Sequence, residues 1–443
     1  MAHTMSDLPL ARLTVRGAVC TVLDPTNPLG EVDGDLSVPA PQAGILDVSG
    51  CVVTAGLVNA HHHLLQTAFR TLPGTRGVPM REWLGQMAAA YARAGHDPEM
   101  YALAAAAGAA EGLLCGVTTV ADHHLNWPRD ASVDATVALA AATAAAVRGI
   151  GGRLVFVRGS AGDDADWAAA SAEAIHAVLI GAGSSGGATA DGRLQLAVGP
   201  AGVHSDARAT FDALGDVARR HGLRRRTQAN EQVDTQLALE RHGARPIELL
   251  DRWGWLAPDV TLAHLCDVTE SEIAQLAAVG VSATHAPGCD VPMGWGIAPV
   301  ARLLAAGVPV GLGTSGGGSN DAGHLLADAR LAMQVSGLVG PQLPARSVLA
   351  MATVGSAAGL GRPELGHLGP GSAGDLCAWD VSGVADAGIA DPVAGLLWGS
   401  PGRRPRHVVV GGRVVVRDHR LVGVDEAELV ARLRERLART PVS

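Results

Sequence analysis

Two histidines at positions 61 and 63, in the run GLVNAHHHLLQ, are the residues of this sequence best suited to chemistry. Side chains two apart on a β-strand point to the same side, so these imidazoles can converge on one metal ion. The apolar run 53–60 supplies the strand, and Gly56-Leu57-Val58-Asn59 leads tightly into the pair. A metal held there makes water nucleophilic near neutral pH, which points to hydrolysis. His62 faces the opposite way and reads as a packing or supporting residue. Further polar, ligand-type side chains recur at the ends of apolar segments: His123 and His124, Arg158, His204, Glu231, His264, His285, and Ser315 with Asn320 and Asp321.

Positioning so many groups requires a repeating scaffold. Short apolar runs at 53–60, 116–122, 153–158, 194–199, 223–229, 260–264, 281–285 and 308–313 alternate with longer Ala-rich stretches of helical character. Eight such units read as an α/β protein, and the polar strand ends select a (β/α)8 TIM barrel, whose chemistry sits at the C-terminal ends of its strands. The hairpin texture of residues 11–55 returns in AGDLCAWDVSG and PRHVVVGGRVVVRDHRLVG. The expected organisation is therefore a small β-sandwich domain of residues 1–55 together with 366–443, flanking a barrel over 56–365. Residues 425–439 read as a closing amphipathic helix, acidic residues first and arginines later, as the helix dipole prefers. The stretch 180–192, IGAGSSGGATADG, reads as a flexible surface loop, and the long connection 64–98 as a lid over the site.

Composition narrows the function. Of 443 residues, 48% are hydrophobic and 17% charged, enough for a large dry core and too apolar for disorder. The net charge of −9 leaves no basic face for nucleic acid. No run of 18 apolar residues suggests a membrane span, and no basic-then-apolar leader opens the chain, so the expected location is cytoplasmic. The six cysteines are scattered without a CxxC pair and read mostly as small buried residues. Lysine is absent, and all 34 basic residues are arginine. That excludes a P-loop, a Schiff base and any carboxylated-lysine bridge between two metals.

The segments GLVNAHHH, GVTTVADHH, TLAH, MGWGIAPVARLLAAGVPVGLGTSGGGSND and GHLGPGSAGDLCAWD together resemble the amidohydrolase superfamily, in its cytosine-deaminase-like and chlorotriazine-hydrolase branch. The resemblance covers nearly the whole chain. It implies a barrel, a flanking sandwich built from both termini, and hydrolysis of C–N or C–halogen bonds. By position it makes His61 and His63 metal ligands, Glu231 the proton shuttle, and His264 the residue that orients water or polarises the scissile carbon. An ion pair with Arg224, Arg225 or Arg226 is the competing reading of Glu231. Met293, Trp295, His204, His285, Asn320, Asp321 and Ser315 fall at substrate-pocket positions.

Two positions depart from the pattern. Gln228 stands where a third histidine ligand is expected, and amide oxygen is a weaker zinc ligand than imidazole. Ser315 stands where an aspartate is expected, although the triazine-hydrolase branch also carries a hydroxyl there. His204 or His124 could lean in as a replacement ligand. The expected cofactor is one divalent metal, zinc, on His61, His63 and Gln228. The leading function is deamination of an aminated N-heterocycle (purine, pyrimidine, pterin or triazine). The alternatives are hydrolysis of an unusual amide or modified peptide in a biosynthetic pathway, and a retired barrel that only binds a ligand. The partner is a small-molecule substrate, and the resemblance allows a homodimer.

Overall fold

The apolar run read above as one strand over 53–60 is two strands, divided at Gly56. The computed structural model describes residues 11–22, 31–32, 35–182, 184 and 186–439. In it Cys51–Ala55 belongs to a small terminal sheet, while β1, Leu57–His63, opens the barrel. Glycine is required at the division: a Cβ on Gly56 would stand 2.3 Å from Thr118 Oγ1.

After β1 come β2 (Val117–His124), β3 (Arg153–Ser160), β4 (Leu194–Pro200), β5 (Arg224–Ala229), β6 (Val260–His264), β7 (Ser282–His285) and β8 (Val310–Leu312), each parallel to its predecessor. A short ninth segment, β9 (Ser315–Gly316), pairs with β1. Only Gly313 and Thr314 separate β8 from β9. Gly313 N–H donates to the His285 carbonyl on β7 and Thr314 N–H to the His61 carbonyl on β1, so the sheet curls shut into a barrel. β1 to β4 are buried along their whole length, which explains why parallel strands read as apolar runs rather than alternating ones.

Ala-rich helices cover the barrel, because small side chains let helix and strand layers approach closely. Their starts are capped by short polar residues: Asp97 accepts from Met100 N, Ser132 from Ala135 N and Asp164 from Trp167 N, and Thr269 with Glu272 completes a capping box. The expected C-terminal helix is Glu426–Ala438, with Asp425 as its cap. It docks through Arg436, which bonds Asp97 (2.6 Å) and the Ala94 carbonyl (3.1 Å). Among the described residues no helix is long and apolar enough to cross a membrane.

Strands from both chain ends build two further sheets. One has three strands in the order Leu36–Pro39, Arg12–Arg16, Gly44–Asp47; the other has seven and joins Cys51–Ala55 to Leu376–Asp380 and His407–Val410. Leu13, Val15 and Leu46 pack against Val53, Leu376 and Val409, forming a core separate from that of the barrel. Within Cys51–Ala55 the alternation is functional. Cys51, Val53 and Ala55 face this small core, while Val52 packs with the barrel's apolar cluster. Among the described residues none of the six cysteines forms a disulfide; five are buried and Cys266 is half-buried. Of the expected loop 180–192, residues 183 and 185 lie outside the described residues.

Candidate active site

β1 delivers His61 and His63 to one side. Their rings lie 4.9 Å apart, edge to face, and both side chains are buried. His63 Nδ1–H donates to the His123 carbonyl (2.7 Å), which fixes the tautomer and leaves Nε2 as a free lone pair at the cavity. His61 Nε2 is buried without any hydrogen-bond partner. Burial holds the His61 imidazole well below its ordinary pKa and His63 down to about 4, so both are neutral ligands-in-waiting at pH 7. His62 turns the other way onto Thr314 Oγ1 (2.8 Å).

Glu231 follows β5 and starts the helix Gln232–His242. It is fully buried, and neither carboxylate oxygen has a hydrogen-bond partner. No arginine pairs with it: Arg225 bonds Asp259 (2.7 and 2.8 Å), and Arg224 bonds the Pro258 and Gly359 carbonyls. Burial raises its pKa, against the opposing pull of His264 and His204. His264 Nε2, also without a hydrogen bond, lies 3.8 Å from Glu231 Oε1, and its Nδ1–H donates to Asp290 Oδ1 (2.6 Å). Burial disfavours the imidazolium, but the Asp290 and Glu231 carboxylates prevail and push the His264 pKa up to about 9. His264 is thus a cation and a proton donor at neutrality. His264, Cys289 and Asp290 bring ligand atoms within 4.8 Å of one another, a cluster with metal-binding capacity.

These groups meet a cavity of about 290 Å³. His63, Gln228, Glu231 and Ser315 line its inner end, and Trp83, Met87 and Tyr91 from the helix Met80–Ala94 line the side that the 64–98 connection covers. Trp83 donates to the Gly318 carbonyl (3.1 Å) and meets Trp295 edge to face; Trp295 in turn abuts His264. His204 lines the cavity with its Nδ1–H held by Asp234 Oδ1 (3.0 Å). Burial alone lowers the His204 pKa, but the Asp234 carboxylate reverses that and raises it. Asn230, His264, Leu265 and Ser315 all take positive φ at strand ends, conformations that cost energy and cluster at functional mouths.

The remaining candidates lie apart from this cavity's lining. Met293 belongs to the apolar core, and His285 sits behind Asp290, 3.9 Å from Oδ2. Asn320 donates to the Thr314 carbonyl and to Asp328, and Asp321 pairs with Arg76 and accepts from Thr71 N (2.6 Å), bracing the 64–98 connection. His124 is turned away from the histidine pair. It contacts Asp122 (3.3 Å), Tyr101, Trp127 and Phe156, so it cannot act as the replacement ligand. Its neighbour His123 shares the inward face instead, with ring centroids 5.7 Å from His61 and 6.0 Å from His63. His123 Nε2–H donates to the Gly199 carbonyl (2.9 Å), leaving a buried, partnerless Nδ1. Asp290 and the buried Arg226 are residues that the sequence reading did not place at this centre, and His123 was named there only among the polar strand ends, with His124 and not His123 offered as a ligand.

A metal ion fits this donor set. Buried imidazole and carboxylate atoms without hydrogen bonds are rare in folded proteins, and here His61, His123 and Glu231 concentrate them at one barrel mouth. Neutral nitrogen donors with amide and hydroxyl oxygens beside them suit a divalent ion.

Comparison with known proteins identifies relatives along nearly the whole chain. The model of the amidohydrolase family matches residues 52–415. An 8-oxoguanine deaminase of Pseudomonas aeruginosa is 34% identical, covering 98% of this chain and 98% of its own. A 5-methylthioadenosine/S-adenosylhomocysteine deaminase of Nitratidesulfovibrio vulgaris is 31% identical over 89% of this chain and 86% of its own. Among solved structures, atrazine chlorohydrolase from Arthrobacter aurescens TC1 complexed with zinc superposes with a TM-score of 0.87 at 30% identity, covering 96% of this chain and 100% of that one.

Proposed function

Because this chain belongs to the amidohydrolase family, we propose that it is a metal-dependent hydrolase of heterocyclic C–N bonds that deaminates an aminated N-heterocycle, with an aminopurine as the leading substrate class. The observation that carries this reading is Glu231: a buried carboxylate with both oxygens free, at the cavity, 3.8 Å from a cationic His264. The end-to-end similarity to an 8-oxoguanine deaminase supports the purine class.

In the proposed reaction His61, His63, Gln228 and Ser315 would hold a divalent ion, zinc, which would supply Lewis acidity towards water. Glu231 takes the proton that water loses as oxygen bonds to the amine-bearing ring carbon, and passes it to the adjacent ring nitrogen. His264, locked by Asp290, donates through Nε2–H to the oxygen that gains charge as the tetrahedral adduct forms. Glu231 then takes the second proton, from the hydroxyl of the adduct, and delivers it to the amino group, so that the C–N bond breaks, ammonia leaves and a ring carbonyl forms. His204, kept as a donor by Asp234, binds an acceptor atom on the ring, while Trp83 and Trp295 cover its apolar faces and exclude water.

Ammonia release from a panel of aminated purines, pyrimidines, pterins and triazines tests the proposal, together with metal analysis of the purified protein. The expected result is zinc-dependent turnover of an aminopurine that Glu231→Gln lowers by about 10²–10⁴-fold. Metal-free protein whose turnover survives Glu231→Gln would refute it.

A further inference from the structure

Two residues before Gln228 on β5, Arg226 is buried in the barrel interior at 2% exposure. Its Nη2 donates to the Ala60 carbonyl, whereas Nε and Nη1 have no partner. Every other buried arginine among the described residues, Arg153 and Arg403 among them, pairs with a carboxylate. Arg226 pairs with none. Strand periodicity puts Arg226 on the same face as Gln228. Its contact with Ala60 sets it against the strand of the histidine pair, and its charge bears on His61 and His123.

The centre therefore has an unusual charge balance. Where the family resemblance leads one to expect a histidine and an aspartate, Gln228 and Ser315 supply only neutral oxygen, while a guanidinium adds a fixed positive charge beneath. Resting on the reading that His61 and His63 hold a divalent ion, we propose that Arg226 is a resident cation of the centre that weakens its hold on that ion. Like charges in a buried setting repel with little screening, so the effect is larger than for a surface pair. The Ala60 hydrogen bond works in the opposite sense, by steadying the strand that carries His61. The direction in which affinity moves when Arg226 is neutralised separates the two roles.

The test is zinc titration of the full, chelator-stripped protein in competition with a chromophoric chelator, for wild type, Arg226→Met, Arg226→Gln, Arg226→Lys and His61→Ala. Arg226→Met and Arg226→Gln are expected to bind zinc roughly tenfold or more tightly, and Arg226→Lys within about threefold of wild type. Gln keeps a donor for the Ala60 carbonyl, so it carries the test if Met perturbs folding, judged by circular dichroism and thermal melting. Unchanged or weakened affinity in a folded neutral variant overturns the proposal. If His61→Ala binds zinc as wild type does, the metal reading itself falls and the proposal falls with it. If His61→Ala loses zinc while the neutral Arg226 variants do not gain affinity, only the proposal falls.

Discussion

Two buried polar clusters in this molecule make opposite use of their hydrogen bonds. Where the barrel meets the terminal sheets, Arg153 and Asp375 are 5% and 3% exposed, joined by two bonds of 2.8 and 2.9 Å, and Asp375 also accepts from Gly411 N. At the barrel mouth, His61, Glu231 and His264 are as deeply buried, yet each keeps an atom without a hydrogen bond. A satisfied buried pair holds structure in place. A cluster with unused bonding capacity is preorganised for something that binds there, and carries its energetic penalty until that partner arrives.

The contrast can be broken by mutation, beginning with the largest effect. Glu231→Gln is expected to lower kcat by about 10²–10⁴-fold while leaving the urea midpoint near wild type, because the carboxylate holds no structural bond. A comparable drop in stability would make it a structural residue. Arg153→Met, by contrast, strands Asp375 and is expected to cost about 3–5 kcal/mol by denaturant unfolding, with KM of the folded enzyme unchanged. A loss under ~1 kcal/mol would erase the distinction between the clusters.

The pH dependence of the chelated protein sharpens it further. His264 binds its proton more tightly folded (about 9) than at its ordinary value of 6.5, so its stabilisation is complete below pH 6.5 and is lost as pH rises through 9. That limb amounts to on the order of 3 kcal/mol, and the raised Glu231 acts in the same direction. His63 and His123, depressed to about 4 and about 3, give stability that is present above pH 6.5 and lost as pH falls towards those values. Urea midpoints should therefore peak near pH 6.5, and Asp290→Asn should flatten the alkaline limb. The smallest expected effect is Gln228→His, which should tighten zinc binding roughly tenfold, or about 1.4 kcal/mol, by chelator competition.

Local periodicity accounts for what was legible. The two-residue repeat of a strand is enough to send His61 and His63 one way and His62 the other, and apolar runs of the right spacing disclose a parallel barrel. Phase is harder to read when two like residues adjoin. In the pair His123-His124 the inward member depends on how β2 is aligned with β1, which no local pattern states. Arg226 is similar: among Arg224, Arg225 and Arg226 the sequence offers three partners for Glu231, whereas strand alternation gives Arg225 to Asp259 and sends Arg226 inward without one. Asp290 escaped because its partner, His264, is 26 positions away on the preceding strand. The split at Gly56 was missed because both halves are equally apolar, one buried against the terminal sheet and the other inside the barrel.

That split also ties the start of the histidine strand to the far end of the chain. Cys51–Ala55 pairs along its length with Leu376–Asp380, and Gly56 N–H donates to the Asp375 carbonyl, immediately ahead of the histidine strand. During synthesis the ribosome emits the histidines early, but the strand that anchors their leading edge emerges more than three hundred residues later. A chain ending before residue 376 therefore carries both histidines without the strand that pairs ahead of them.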